Sequence, residues 1–146
     1  MVFAATIEMC TIIRDHLRKQ LPALDINKYT QGDSYDKLKS SDIGVSTIGS
    51  AGTAVDIKGL VFCLSTTAID KKETNEQVLG RMRKFDDRPD IVPVLMYMIC
   101  KDIDKQIFYH EHKRKIFEGK VISHITLESD FVLWEQPWNT HMTVSY

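Results

Sequence analysis

Two stretches of this sequence gather residues that can do chemistry. The first is TNEQVLGRMRKF, residues 74 to 85. Read as a helix over about 74–84, it places Gln77, Gly80, Arg81 and Lys84 within roughly a 100° arc, with Val78, Leu79 and Met82 opposite. The apolar side is a packing face. The other side needs a reason, because glycine costs on the order of 1 kcal/mol relative to alanine inside a helix. A glycine beside an amide and two cations suits a place where an anionic partner approaches the backbone. The second stretch, STIGSAGTAVDIKGL (46–60), supplies Thr47, Gly49, Ser50, Gly52, Thr53 and Asp56. Small residues bare backbone N–H groups, hydroxyls add donors, and a carboxylate accepts from a ribose hydroxyl. A structural turn explains the same composition, so this loop decides nothing alone.

The elements that must position these residues follow from periodicity. VFAAT (2–6) is a short apolar run, and in the segment after it Ile7, Cys10, Ile13, Leu17 and Leu21 recur every three or four residues, predicting an amphipathic helix ended by Pro22. DINKYT (25–30) reads as an edge strand, QGDS as a turn and SYDKLKSS as a short helix. DIGVST (42–47) and LVFCLST (60–66) read as buried strands, with the glycine-rich loop between them irregular. IVPVLMYMIC (91–100) is a strongly apolar strand, and DIDKQIFYHEHKRKIF (102–117) is a helix. Strands alternating with helices, most of them apolar on both faces, predict an α/β domain with a mostly parallel sheet covered on both sides. Ligands of such sheets bind beyond the carboxyl ends of the strands. The glycine-rich loop and the Gln77/Arg81 face are therefore expected to meet. Residues 118–146 form a C-terminal extension that reads either as a terminal hairpin or as an irregular tail.

The bulk properties narrow the function classes. A chain of 146 residues, 43% hydrophobic and 27% charged, reads as one soluble globular domain. Its net charge of −1 speaks against a general polyanion coat, although ten cations from Arg81 to Lys120 leave room for a local basic patch. Cys10, Cys63 and Cys100 are isolated, odd in number and set in apolar runs. They read as reduced thiols in an intracellular, cytoplasmic protein, with neither signal peptide nor membrane span. No GxxxxGK[ST] loop occurs, so the chain lacks the usual device for gripping a triphosphate with Mg²⁺. His110 and His112 are two apart and cannot share a helical face. Trp134 and Trp138 read as packing residues, and Asp86, Asp87 and Asp90 as a solvated loop.

Taken together in order, these segments resemble a known family. They are similar to the second, C-terminal RecA-like lobe of superfamily-2 DNA helicases and translocases, in particular the phage-type repair and recombination helicases. VFAATIEMCTIIRDHL resembles motif IV, DIGVSTIGSAGTAVDIKGL motif V, and QVLGRMRK motif VI, usually written QxxGRxxR. VPVLMYMICKDIDKQIFYHEHKRKIF resembles the closing strand and helix. The resemblance covers about residues 2 to 117 and implies a three-layer RecA-like fold.

It also implies roles. Gln77 and Arg81 match motif VI, whose arginines reach the γ-phosphate of ATP held with Mg²⁺ by the N-terminal lobe. The last motif VI cation falls on Lys84 by strict spacing, or on Arg83 if one residue is missing. Gly52, Asp56 and Gly80 fall on the nucleotide side, Asp56 at a position that faces the ribose. Thr47, Gly49, Ser50 and Thr53 match the part of motif V that touches the nucleic-acid backbone, and Lys113 and Arg114 are basic positions expected to join them. Ala54 stands where many relatives carry glycine. Partners on this reading are DNA (RNA being possible) and the N-terminal lobe, without which the chain is inert; the host cytoplasm is the compartment if the gene is a phage's. A non-enzymatic nucleic-acid- or protein-binding module on the same fold is the alternative.

Overall fold

Five short strands carry the apolar runs: Val2–Ala4 (β1), Ile26–Tyr29 (β2), Ile43–Thr47 (β3), Phe62–Ser65 (β4) and Val94–Tyr97 (β5). The structure, a computed structural model, describes residues 1–52, 57, 60–83, 85 and 87–128. All neighbouring strands pair in parallel, in the order β2-β3-β1-β4-β5. One row of the register runs Ser46, Phe3, Ser65, Tyr97 across four strands. β2 lies at an edge, as its polar alternation predicted.

The helices are Ile7–Gln20 (α1), Tyr35–Ser40 (α2), Ile48–Gly52 (α3), Lys72–Gly80 (α4) and Asp104–Phe117 (α5). α1 begins where the Thr6 side chain accepts a hydrogen bond from Met9 N at 3.1 Å, and it stops before Leu21 and Pro22. Its Cys10, Ile13 and Leu17 pack with Val2, Ala4, Ile26 and Val45 on one face of the sheet. The opposite face gathers Met1, Phe3, Leu38, Ala51, Cys63 and Val78, contributed by β1, α2, α3, β4 and α4. Parallel strands need such crossovers, and strand alternation sends Val2 to one core and Phe3 to the other. The fold is thus the α/β, three-layer arrangement that the alternation of elements predicts, with an all-parallel sheet. Gly44 is required by packing, since a Cβ there would run into Leu38 Cδ1 and meet Met1 Sδ at 3.0 Å.

Three local expectations change. The loop after β3 is not wholly irregular, because its first residues form α3. α4 starts at Lys72 and ends at Gly80, with Arg81 as its C-cap. β5 is only four residues long and lies at the other edge; its Val94 and Met96, with Phe62 of β4, remain exposed beyond the reach of α1. Strong hydropathy alone does not bury a strand; a helix must lie over it. Residues 118–128, the start of the segment read as either a terminal hairpin or an irregular tail, contain no strand, and DFVLWEQPW lies outside the described residues.

Candidate functional site

At the carboxyl edge of the sheet, the turn from β3 into α3 is built by Thr47. Its Oγ1 accepts from Ser50 N at 3.1 Å and donates to Ser50 Oγ at 2.8 Å. Both hydroxyls predicted to touch nucleic acid therefore also hold the turn together. Gly49 follows Thr47 and borders two clefts. A Cβ on it would meet nothing within 4 Å, so its backbone stands open to an incoming group. The first cleft, about 400 Å³, lies at the ends of β1, β3 and β4 and is walled by Thr6, Thr47, Gly49, Thr67 and Thr74 among others. The second, about 440 Å³, lies between the ends of β2 and β3 and includes Thr30, Gln31 and Ser50.

The first cleft has a polar atom to offer. Thr67 Oγ1 is buried and makes no hydrogen bond. α1 also begins at this cleft, and the amides of a helix's first turn have no intrahelical partners. Thr6, Thr67 and Thr74 were not singled out from the sequence. The signal was available, because Thr66 and Thr67 follow the apolar run of β4 at the strand end where ligands collect.

Arg81 lies elsewhere. The expectation that the glycine-rich loop would meet the Gln77/Arg81 face falls largely on residues 53–56, 58 and 59, outside the described residues; what the topology separates is the start of that loop, the Thr47–Ser50 turn, from Arg81. A helix linking two parallel strands must return to the amino edge, and nine residues rise about 12 Å from first to last. α3 accordingly meets α4 near its start, at Thr74, and through Ala51 and Val78 in the core. Gln77 is exposed one turn further on, and Gly80 is open, with nothing within 4 Å of a Cβ placed on it. Arg81, half-buried, comes close enough to Cys63 for its charge to favour the thiolate there; burial dominates and pushes the Cys63 thiol up to about 11. The N-terminal ammonium, donating to Phe62 O at 2.8 Å, is held below its ordinary range by burial.

Because α4 ends at Gly80, the arc expected to join Arg81 and Lys84 on one helical face does not form. Arg83 is exposed and its Nε donates to Gly80 O at 3.4 Å. Lys84, Thr53 and Asp56 lie outside the described residues, as does the side of Gly52 expected to face a nucleotide. Lys113 and Arg114 occur together on α5 but differ. Arg114 is exposed, whereas Lys113 is only 4% exposed, with its Nζ 4.2 Å from the centre of the Tyr97 ring. Lys113, expected to touch backbone phosphates, has its long stem packed between α5 and β5.

No three His, Cys, Asp or Glu side chains among the described residues are placed to hold a metal ion, and no described helix is long and apolar enough to cross a membrane. What the arrangement offers chemically is a largely apolar cleft fringed by threonine hydroxyls, a more polar cleft beside it, and a guanidinium at the far end of α4. No protein-family model matches this chain, and no curated protein does.

Proposed function

We propose that this chain is the C-terminal RecA-like lobe of an ATP-dependent DNA helicase or translocase. The observation that carries the proposal is the separation of the two sets of motif residues along α4. Thr47, Gly49 and Ser50 stand at the carboxyl edge, and Arg81 at the opposite end of the helix. A lobe that must hold a nucleic-acid backbone and also reach a nucleotide on a neighbouring lobe needs two such surfaces. Gly49 N–H and the first-turn amides of α1 that Thr6 leaves uncapped are suited to phosphate oxygens, contacts that fix position without reading sequence. Arg81 suits the arginine-finger role, placing charge where it develops on the transferring phosphoryl group. Nucleotide and Mg²⁺ are assigned to the other lobe, since this chain carries neither a phosphate-gripping loop nor, among its described residues, a carboxylate cluster for the metal.

A second reading, a non-enzymatic nucleic-acid-binding module, is favoured by one fact. The first cleft is complete within this chain, and the ATP machinery is not. One experiment separates them. ATPase activity is measured with this chain alone, with the N-terminal lobe supplied, and with Arg81→Ala in both cases. The helicase reading expects no turnover alone, nucleic-acid-stimulated turnover on reconstitution, and a loss of roughly 10³-fold in kcat with Arg81→Ala. A mutant kcat within threefold of the wild type removes Arg81 from catalysis and leaves the binding module.

A further inference from the structure

Away from both clefts, the end of β5 and the middle of α5 bring four polar side chains together. The Tyr97 hydroxyl lies 3.0 Å from His110 Nδ1, with the rings 5.7 Å apart. Lys113 covers the Tyr97 ring, and Arg114 is close enough to act on both Tyr97 and His110. A buried ammonium ordinarily recruits a carboxylate. Among the described residues Lys113 has none in ion-pair reach and keeps only the aromatic face. The charges around His110 are also one-sided. Its imidazolium is disfavoured by burial first, then by Arg114, Lys113 and, from the chain after α5, His124; Glu111 alone opposes them. Burial holds the Tyr97 phenol in its neutral form. In the tautomer where the phenol donates to Nδ1, the His110 proton sits on Nε2, a second donor directed away from the tyrosine.

We propose that Tyr97, His110, Lys113 and Arg114 form a phosphate-binding site. Arg114 and His110 Nε2 hold the oxyanion, Tyr97 orients the imidazole, and Lys113 adds charge from the face of the tyrosine ring. Three cationic or ionisable groups converging without a carboxylate among them are costly in isolation, and an anion relieves that cost. The ligand is a phosphate oxyanion, from either a free phosphate ester or a nucleic-acid backbone. The second source rests on the helicase reading; the site itself does not. Tyr97 shares its register row with Ser46, three strand spacings or about 14 Å away, while Arg114 lies further along α5, in its last turn.

The test uses the full chain and follows the histidine ring resonances by NMR during titration with inorganic phosphate. Saturable shifts at His110 are expected, with its pKa raised by the bound anion. Arg114→Gln, at an exposed position, should weaken binding by about tenfold, as for loss of a charge-assisted hydrogen bond. Tyr97→Phe, which keeps the ring, should weaken it less and alter the pH at which His110 titrates. A His110 signal unmoved by phosphate, or an Arg114→Gln variant that binds as well as the wild type, overturns the proposal. A single-stranded oligonucleotide without terminal phosphates identifies the source. Displacement of phosphate from His110 assigns the site to nucleic-acid backbone; phosphate binding without displacement assigns it to a free ester. Arg81→Ala should leave the His110 shifts unchanged, so failure of the motor-lobe reading and failure of this site remain separate results.

Discussion

Over β2, β3 and β1, α1 lays Cys10, Ile13 and Leu17 onto a closed core, whereas over β4 and β5 the same face leaves Phe62, Val94 and Met96 between 39% and 47% exposed. The other face of β4 and β5 is covered, by α4 and α5, and there Cys63 is fully buried. Leu64 of β4 still reaches the α1-side core, so it is β5 and the Phe62 end of β4 that support the fold from one side only. The open pair, FCLS and VLMY, is the more apolar of the two halves, so the difference lies in which crossover passes over them. α1 must travel from β1 to β2 past β3, and a single helix of 14 residues covers no more than the strands beneath it.

The largest test of this contrast is Phe3→Ala. Phe3 is 1% exposed at the centre of the closed region, so truncation should cost about 3–5 kcal/mol in denaturant unfolding. A loss below 1 kcal/mol would break the comparison. Next is Gly44→Ala, whose methyl group collides with Leu38 Cδ1; overpacking of this kind costs about 1–3 kcal/mol. A smaller effect is expected from Lys113. It loses its proton near pH 8 when folded and near its ordinary 10.5 when unfolded, so above pH 8 the unfolded chain binds more protons and stability rises with pH. From about pH 9 the thiols of Cys63 and Cys10, held protonated by burial, act in the opposite direction. The buried N-terminal ammonium, also held low, adds to the rise around pH 8, so melts of Lys113→Met between pH 8 and 9 should show a shallower rise than the wild type, not a flat one. The smallest effect belongs to the open face. Met96→Thr should change stability by no more than about 0.5 kcal/mol, and a loss comparable to that of Phe3→Ala would mean that this face is covered after all.

Much of the architecture was legible in the residues. The 3–4 spacing of Ile7, Cys10, Ile13 and Leu17, stopped by Pro22, marks α1, and the apolar runs mark all five strands in order. Short-range signals of this kind are written into the chain because cap chemistry and periodicity are local. The Thr47–Ser50 turn was legible only as composition. Its hydroxyls looked like donors for a ligand, and the structure has them bonding each other as well. α4 was misjudged at both ends: a nearly continuous helical pattern over 74–84 gives no hint that the chain turns at Gly80.

From sequence alone came the alternation that makes the sheet parallel, the packing face of Val78, and the cations on which the functional reading rests. Tertiary structure alone decided where those residues stand relative to one another. The return path of α4 carries Arg81 away from the glycine-rich turn, because a crossover helix has to end at the opposite edge of a parallel sheet. The burial of Lys113 over Tyr97 depends on α5 packing against β5 and cannot be read from YHEHKRK, where it is one of three adjacent cations. Periodicity specifies which face of an element is apolar; the partner supplied by the rest of the fold determines whether that face is covered and what its polar neighbours meet.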